Sequence, residues 1–126
     1  MILLDTNVLL WLFIGDKRLS IDAKDKIERN PENYFVSIVS FWEIATKRAS
    51  GKLDVAMDIP EAVEKAGFYN LSLLKSHIYK YELLPLLHRD PFDRMLIAQA
   101  LSERVSFLSS DLFLKDYGLR IIDAKV

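Results

Sequence analysis

Met1-Ile2-Leu3-Leu4-Asp5-Thr6-Asn7-Val8-Leu9-Leu10-Trp11-Leu12-Phe13-Ile14 opens the chain. Met1 to Leu4 is an unbroken apolar run stopped by the carboxylate of Asp5, the pattern of a short strand buried on both faces. Thr6 is placed to cap a helix reaching about Ile14, and Gly15-Asp16 ends it. An apolar strand running straight into a helix is the opening of an α/β fold built on parallel strands.

The same alternation continues along the chain. Leu19, Ala23 and Ile27 recur every four residues among charges, which predicts a surface helix that Asn30-Pro31 ends. Tyr34–Val39 has strand composition, and Ser40 starts a helix to about Ala49, closed near Gly51. Asp58 and Pro60 begin a helix to about Phe68. Leu71–Leu74 is a strand candidate, and Ser76 to Leu84 is a helix stopped at Pro85. Asp90-Pro91 opens a longer helix through Arg104. Val105–Leu108 is strand-like, Asp111–Asp116 a brief helix ended by Gly118, and Leu119–Ile122 a last strand. The expected architecture is a central, mostly parallel sheet between helical layers, an α/β/α sandwich.

Composition narrows the functional classes. The 126 residues suit one domain, spanning 1–126. A hydrophobic share of 51% excludes intrinsic disorder. A net charge of −1 excludes a protein that coats nucleic acid, so any such contact rests on local patches. With no cysteine there is neither a disulfide scaffold nor a thiolate metal site, which fits a reducing cytoplasm. The longest apolar run, Val8–Ile14, falls far short of the ~20 residues that span a bilayer, so no membrane association is expected.

Open parallel sheets bind ligands beyond the carboxyl ends of their strands. Asp5 follows the first strand directly. Glu43 lies one turn into the helix after the second. Asp93 is in the first turn of the helix from Pro91, and Asp111 closely follows the Val105–Leu108 strand. Carboxylates that converge raise one another's pKa or demand a cation, and hard oxygen ligands suit Mg²⁺ or Mn²⁺. His77 and His88 lack the spacing of a zinc motif. Each acid also has a capping reading. Ser40-Phe41-Trp42-Glu43 matches a capping box, Asp90-Pro91-Phe92-Asp93 is an ordinary helix start, and Asp111 is placed to cap its own helix. Asp5 fits a cap least well, because it ends a strand in a strongly apolar segment.

These segments resemble a known family. Leu3-Leu4-Asp5-Thr6-Asn7-Val8-Leu9-Leu10-Trp11 is similar to the opening of PIN domains. Ser37-Ile38-Val39-Ser40-Phe41-Trp42-Glu43-Ile44 is similar to their second acidic motif. His88-Arg89-Asp90-Pro91-Phe92-Asp93-Arg94-Met95-Leu96-Ile97-Ala98-Gln99-Ala100 is similar to the third, and Leu108-Ser109-Ser110-Asp111 to the fourth. Length and the third motif look most like VapC-type toxins of toxin–antitoxin modules. The resemblance implies a Rossmann-like domain that cuts RNA with Mg²⁺ or Mn²⁺, held by Asp5, Glu43, Asp93 and Asp111 as catalytic acids. It favours Asp93 over Asp90, because family members place this acid seven residues before the small residue matching Ala100. It gives Asn7 and Ser109 supporting polar roles, Ser109 standing where Thr is common. It also implies a homodimer and an antitoxin partner.

Positive charge for a polyanionic substrate has several candidate sources. Lys47 and Arg48 extend the helix of Glu43, Lys52 lies just beyond, and Arg89 and Arg94 flank the third motif. A solvated helix end is the competing reading for Lys47, Arg48 and Lys52. Two other functions compete with the nuclease reading. A catalytically inactive binding domain of the same fold would use the acids only as caps. A phosphoryl-accepting receiver domain would show two adjacent acids after its first strand and a Lys at a late strand end, whereas here Asp5 is followed by Thr6 and Asn7 and Ser109-Ser110-Asp111 offers no Lys.

Overall fold

Leu3 and Leu4 are both fully buried, and they enter different cores. Successive side chains on a strand point to opposite faces, so the first strand is covered above and below. Phe107 and Leu108 repeat this division on another strand. In this computed structural model, which describes residues 1–126, both strands are central in a five-stranded sheet with every neighbouring pair parallel.

The elements run β1 (Ile2–Leu4), α1 (Thr6–Ile14), α2 (Ile21–Arg29), β2 (Tyr34–Ser37), α3 (Ile38–Ala49), α4 (Ile59–Ala66), β3 (Tyr69–Leu71), α5 (Lys75–Leu83), α6 (Pro91–Glu103), β4 (Ser106–Ser109) and β5 (Ile121–Asp123). Two short 3₁₀ turns, Pro31–Asn33 and Leu112–Tyr117, complete the chain. The sheet order is β3-β2-β1-β4-β5. One core packs α1, α2 and α4 on one face, and the other packs α6 on the opposite face. The expected sandwich is therefore present, and its sheet is wholly rather than mostly parallel. No helix is long and apolar enough to cross a membrane.

Several boundaries differ from the sequence expectation. β2 stops at Ser37, whose hydroxyl accepts the Val39 amide at 3.0 Å and so caps α3 three residues earlier than Ser40 would. Ser40 therefore lies inside the helix, and the Ser40–Glu43 capping box does not form. Thr6 is likewise not a cap: its hydroxyl meets that of Ser40 at 2.9 Å, joining the first turns of α1 and α3. β3 ends at Leu71, which pairs with Ser37; β2 offers no partner beyond that residue, so the expected strand to Leu74 has nothing to extend along. β5 begins at Ile121, opposite Phe107, rather than at Leu119.

Ser37, Gln99 and His77 are fully buried polar residues, and each is partnered. Ser37 donates to the Gln99 carbonyl oxygen, and the Gln99 amide donates to the Ser72 carbonyl at 3.3 Å. His77 Nδ1 accepts the Leu74 amide at 3.0 Å, and its Nε2 meets Glu103 at 2.8 Å. Leaving such groups unpaired would cost ~1–3 kcal/mol apiece. The chain of bonds locks α6 against the end of β2, which sets the height of the acids that α3 and α6 carry.

Candidate metal centre

From β1 the chain moves outward to β2 and β3, then returns to the other side of β1 for β4 and β5. The loops leaving β1 and β4 diverge, which opens a crevice at the carboxyl ends of the central strands. Asp5 follows β1 directly, and its amide donates to Leu108 O at 3.0 Å. Ser109 is the last residue of β4, with Asp111 two residues on. α3 brings Glu43 and α6 brings Asp93. The two helices meet through Trp42 and Phe92, whose rings pack edge to face at 4.8 Å.

Asp5 stands at the cap position of α1 but makes no capping bond with its side chain. Its Oδ2 instead accepts the Ser109 hydroxyl at 2.6 Å, and Ser109 in turn accepts the Asp111 amide at 3.0 Å. Glu43 is buried; its Oε2 takes Lys47 Nζ at 2.6 Å, and its Oε1 has no partner. Oxygens of Glu43, Asp90 and Asp93 lie within 4.8 Å of one another. His88 Nε2 stands 3.5 Å from Asp93 Oδ2 and 3.9 Å from Asp111 Oδ2.

Asp90 is the acid that sequence reasoning set aside as a cap. It does cap α6, with Oδ1 accepting the Phe92 and Asp93 amides at 2.8 and 3.2 Å. It also belongs to the cluster. Asp111 combines the two uses in the same way, capping Phe113 with Oδ1 at 3.1 Å while Oδ2 faces His88. Asn7 is exposed on the first turn of α1.

The crowding shows in the electrostatics. Burial first, then the charges of Glu43 and Asp111, push the Asp5 carboxyl up to about 6, against the opposing Ser109 bond and the Thr6 amide. Burial first, then Asp5, Asp90 and Glu43, push Asp93 up to about 7, with Lys47 acting the other way. Lys47 is held protonated above its ordinary range, chiefly by its bond to Glu43. One ammonium facing the carboxylates of Glu43, Asp90 and Asp93 leaves a negative excess, to which Asp5 and Asp111 add. Hard oxygen donors, a net negative charge and a buried Glu43 oxygen without a partner fit an oxygen-coordinated divalent cation.

The basic residues divide into two groups. Arg48, Lys52 and Arg89 are exposed. Lys47 is engaged by Glu43. Arg94 corrects the sequence expectation: it is 7% exposed and does not face solvent where a phosphate would lie. Its guanidinium donates to Pro85 O at 3.0 Å and His88 O at 3.4 Å, and lies 4.9 Å over the Tyr81 ring. It anchors the loop ahead of α6. Arg94→Lys keeps the charge but loses the planar guanidinium that stacks on Tyr81 and holds Nη1 against both carbonyls, so we expect a loss of ~1–2 kcal/mol in urea denaturation. A change below ~0.5 kcal/mol, the scatter of ordinary surface substitutions, would contradict that anchoring role.

The profile of the family described as PIN domain matches residues 2–124. No curated protein matches the sequence. Solved structures do resemble the fold. A DNA-bound VapBC from Salmonella typhimurium superposes with a TM-score of 0.71 at 16% identity, over 97% of this chain and 96% of that one. VapBC2 from Rickettsia felis, bound to a DNA fragment from its promoter, gives 0.69 at 13% identity over 98% of each chain. FitAcB from Neisseria gonorrhoeae gives 0.69 at 14% identity, again over 98% of each. At these identities the likeness is one of fold.

Proposed function

The chain belongs to the PIN-domain family, and from that premise we propose that it is a one-domain, Mg²⁺- or Mn²⁺-dependent endoribonuclease, the toxin of a toxin–antitoxin pair. The observation that carries the reading is the unpartnered, buried Oε1 of Glu43 in a crevice shared with Asp5, Asp90, Asp93 and Asp111. An apolar core does not retain such an oxygen without a compensating role.

Asp5, Glu43, Asp93 and Asp111 are the proposed ligands, with the second oxygen of Asp90 close enough to assist. When bound, a divalent ion supplies charge stabilisation at the scissile phosphate and a nucleophile available at neutral pH. The chain's own residues prepare the site. Ser109 holds one oxygen of Asp5 and leaves the other free. Lys47 neutralises one oxygen of Glu43, and the other is left buried without a partner. The acids repel a polyanion until a cation offsets them, so RNA binds poorly to the metal-free protein. Arg48, Lys52 and Arg89 are the exposed cations available to phosphates on either side of the cut.

Several of the similar solved structures are toxin–antitoxin complexes, and a cognate antitoxin is the partner this reading assigns here, together with a second copy of the chain and a cytoplasmic site of action. The test is cleavage of total cellular RNA by the purified, partner-free protein, alongside calorimetric titration with Mn²⁺. Cutting should require Mn²⁺ or Mg²⁺, stop in excess chelator and accompany measurable Mn²⁺ binding. Full-rate cutting in chelator would overturn the proposal. No cutting, with no Mn²⁺ bound at millimolar concentration, would leave a binding domain.

A further inference from the structure

His88 has no place yet in the proposed chemistry. It is half-buried on the loop before α6, and its Nδ1 accepts the Asp90 amide at 3.1 Å. A neutral imidazole has one donor and one acceptor nitrogen. The amide therefore sets the tautomer: Nδ1 is the acceptor, and the proton is on Nε2. That nitrogen faces Asp93 Oδ2 at 3.5 Å and Asp111 Oδ2 at 3.9 Å. These separations would suit a shared cation, but a protonated Nε2 has no lone pair to offer one. His88 is thus a donor facing two carboxylates, one from α6 and one from the turn after β4.

The loop that carries the imidazole is anchored as well. Arg94 holds the carbonyls of Pro85 and His88, and so fixes the loop on which the ring stands. A histidine serving only its own loop would point Nε2 at solvent. Here it points between two acids that are 18 residues apart in the chain.

We propose that His88 is a positioning residue whose Nε2–H ties Asp93 to Asp111, presetting the separation of the two carboxylates for a divalent cation. The proposal rests on the metal-dependent nuclease reading. A 3.5 Å contact is long for a hydrogen bond, and bonds of this kind commonly shorten when the reactive complex assembles. Partners of ligating carboxylates typically contribute ~10–100-fold to metal affinity or activity.

Three measurements on the intact chain test it. In the metal-free protein at mildly alkaline pH, ¹⁵N NMR should show the His88 proton on Nε2; a proton on Nδ1 overturns the proposal, because it would free Nε2 to ligate. In Mn²⁺ calorimetry, His88→Ala should bind ~10–100-fold more weakly than wild type. His88→Gln, whose amide carries a donor to nearly the same place, should recover most of that loss. In RNA cleavage, His88→Ala should lower kcat and leave KM for RNA near its wild-type value. Wild-type Mn²⁺ affinity in His88→Ala, or a Gln variant as weak as the Ala variant, sinks the proposal while sparing the nuclease reading. A wild-type protein that binds no Mn²⁺ in the same titration fails that reading instead, and the proposal with it. Should His88→Ala not fold, the tautomer and the Gln variant still decide.

Discussion

Asp5→Asn and Asp93→Asn should each lower RNA cleavage at least ~100-fold, a loss of ~2.7 kcal/mol of transition-state stabilisation, while yielding a metal-free protein more stable than wild type at neutral pH. The two effects share one origin. Both carboxylates are raised well above the ordinary 3.8 because burial and neighbouring acids disfavour their charge. Asn has nearly the same shape and can still accept the Ser109 hydroxyl through its amide oxygen, but it carries no charge. It removes the repulsion, and with it a negative ligand. A merely structural acid would show the opposite pattern, losing stability and keeping activity per folded molecule. Asp90 and Asp111 are poorer first choices, because each also caps a helix and its loss adds ~1 kcal/mol of ordinary capping energy. A rate drop below tenfold in both variants would contradict the assignment. Undiminished cutting by the Asp5 variant would point to a contaminating nuclease.

The sheet was legible because Leu3-Leu4 and Phe107-Leu108 place apolar side chains on both faces of one strand, and only a covered parallel sheet accepts that. Strand ends were less legible because they depend on the partner. Leu71 ends β3 where Ser37 ends β2, and nothing within residues 71–74 records it. The convergence of acids could be inferred from strand ends alone. Asp90 carries the sequence signature of a helix cap and fills that role, but a carboxylate has two oxygens, and capping leaves Asp90 near Glu43 and Asp93 as well. Glu43 was open to a capping reading because Ser40 stands three residues before it; Ser37, the true cap, takes that work and frees the glutamate. Arg94 reads as a surface cation in the sequence because its partners are backbone carbonyls, which every residue carries and no side-chain pattern announces. The buried Ser37–Gln99–His77 chain was invisible for a related reason: its members lie up to 62 residues apart.

In the metal-free protein, the stability difference between wild type and Asp5→Asn should depend on pH in a defined window. The folded state raises the Asp5 carboxyl from 3.8 to about 6, so between those values the native state binds more protons than the unfolded one. Unfolding free energy changes with pH in proportion to protons bound unfolded minus protons bound native. That difference is negative here, so this residue's contribution falls as pH rises. Below about pH 3.8 both states are protonated and Asp5 imposes no penalty. Above about 6 the full penalty applies, roughly 3 kcal/mol from a shift of this size. Asp93, raised to about 7 in part by the Asp5 charge, is present in both proteins and enters the difference only through that repulsion. Urea denaturation across this range should show the two proteins converging at the acid end, with the variant ahead by ~3 kcal/mol near neutral pH. Taking the difference cancels groups common to both, such as Asp16, whose bond to Arg18 lowers its pKa and favours the opposite trend. Mn²⁺ supplies the decisive control. A ligand that binds only the folded state stabilises by about 2.7 kcal/mol at 100 times its Kd, so saturating Mn²⁺ should bring the wild type close to the variant at neutral pH and leave the variant nearly unmoved. A gap that does not respond to pH would mean that the Asp5 charge is not confined as its burial implies. A gap that responds to pH but not to Mn²⁺ would mean that the crevice gathers carboxylates without holding a cation, and the strain of that arrangement would then have no chemical purpose.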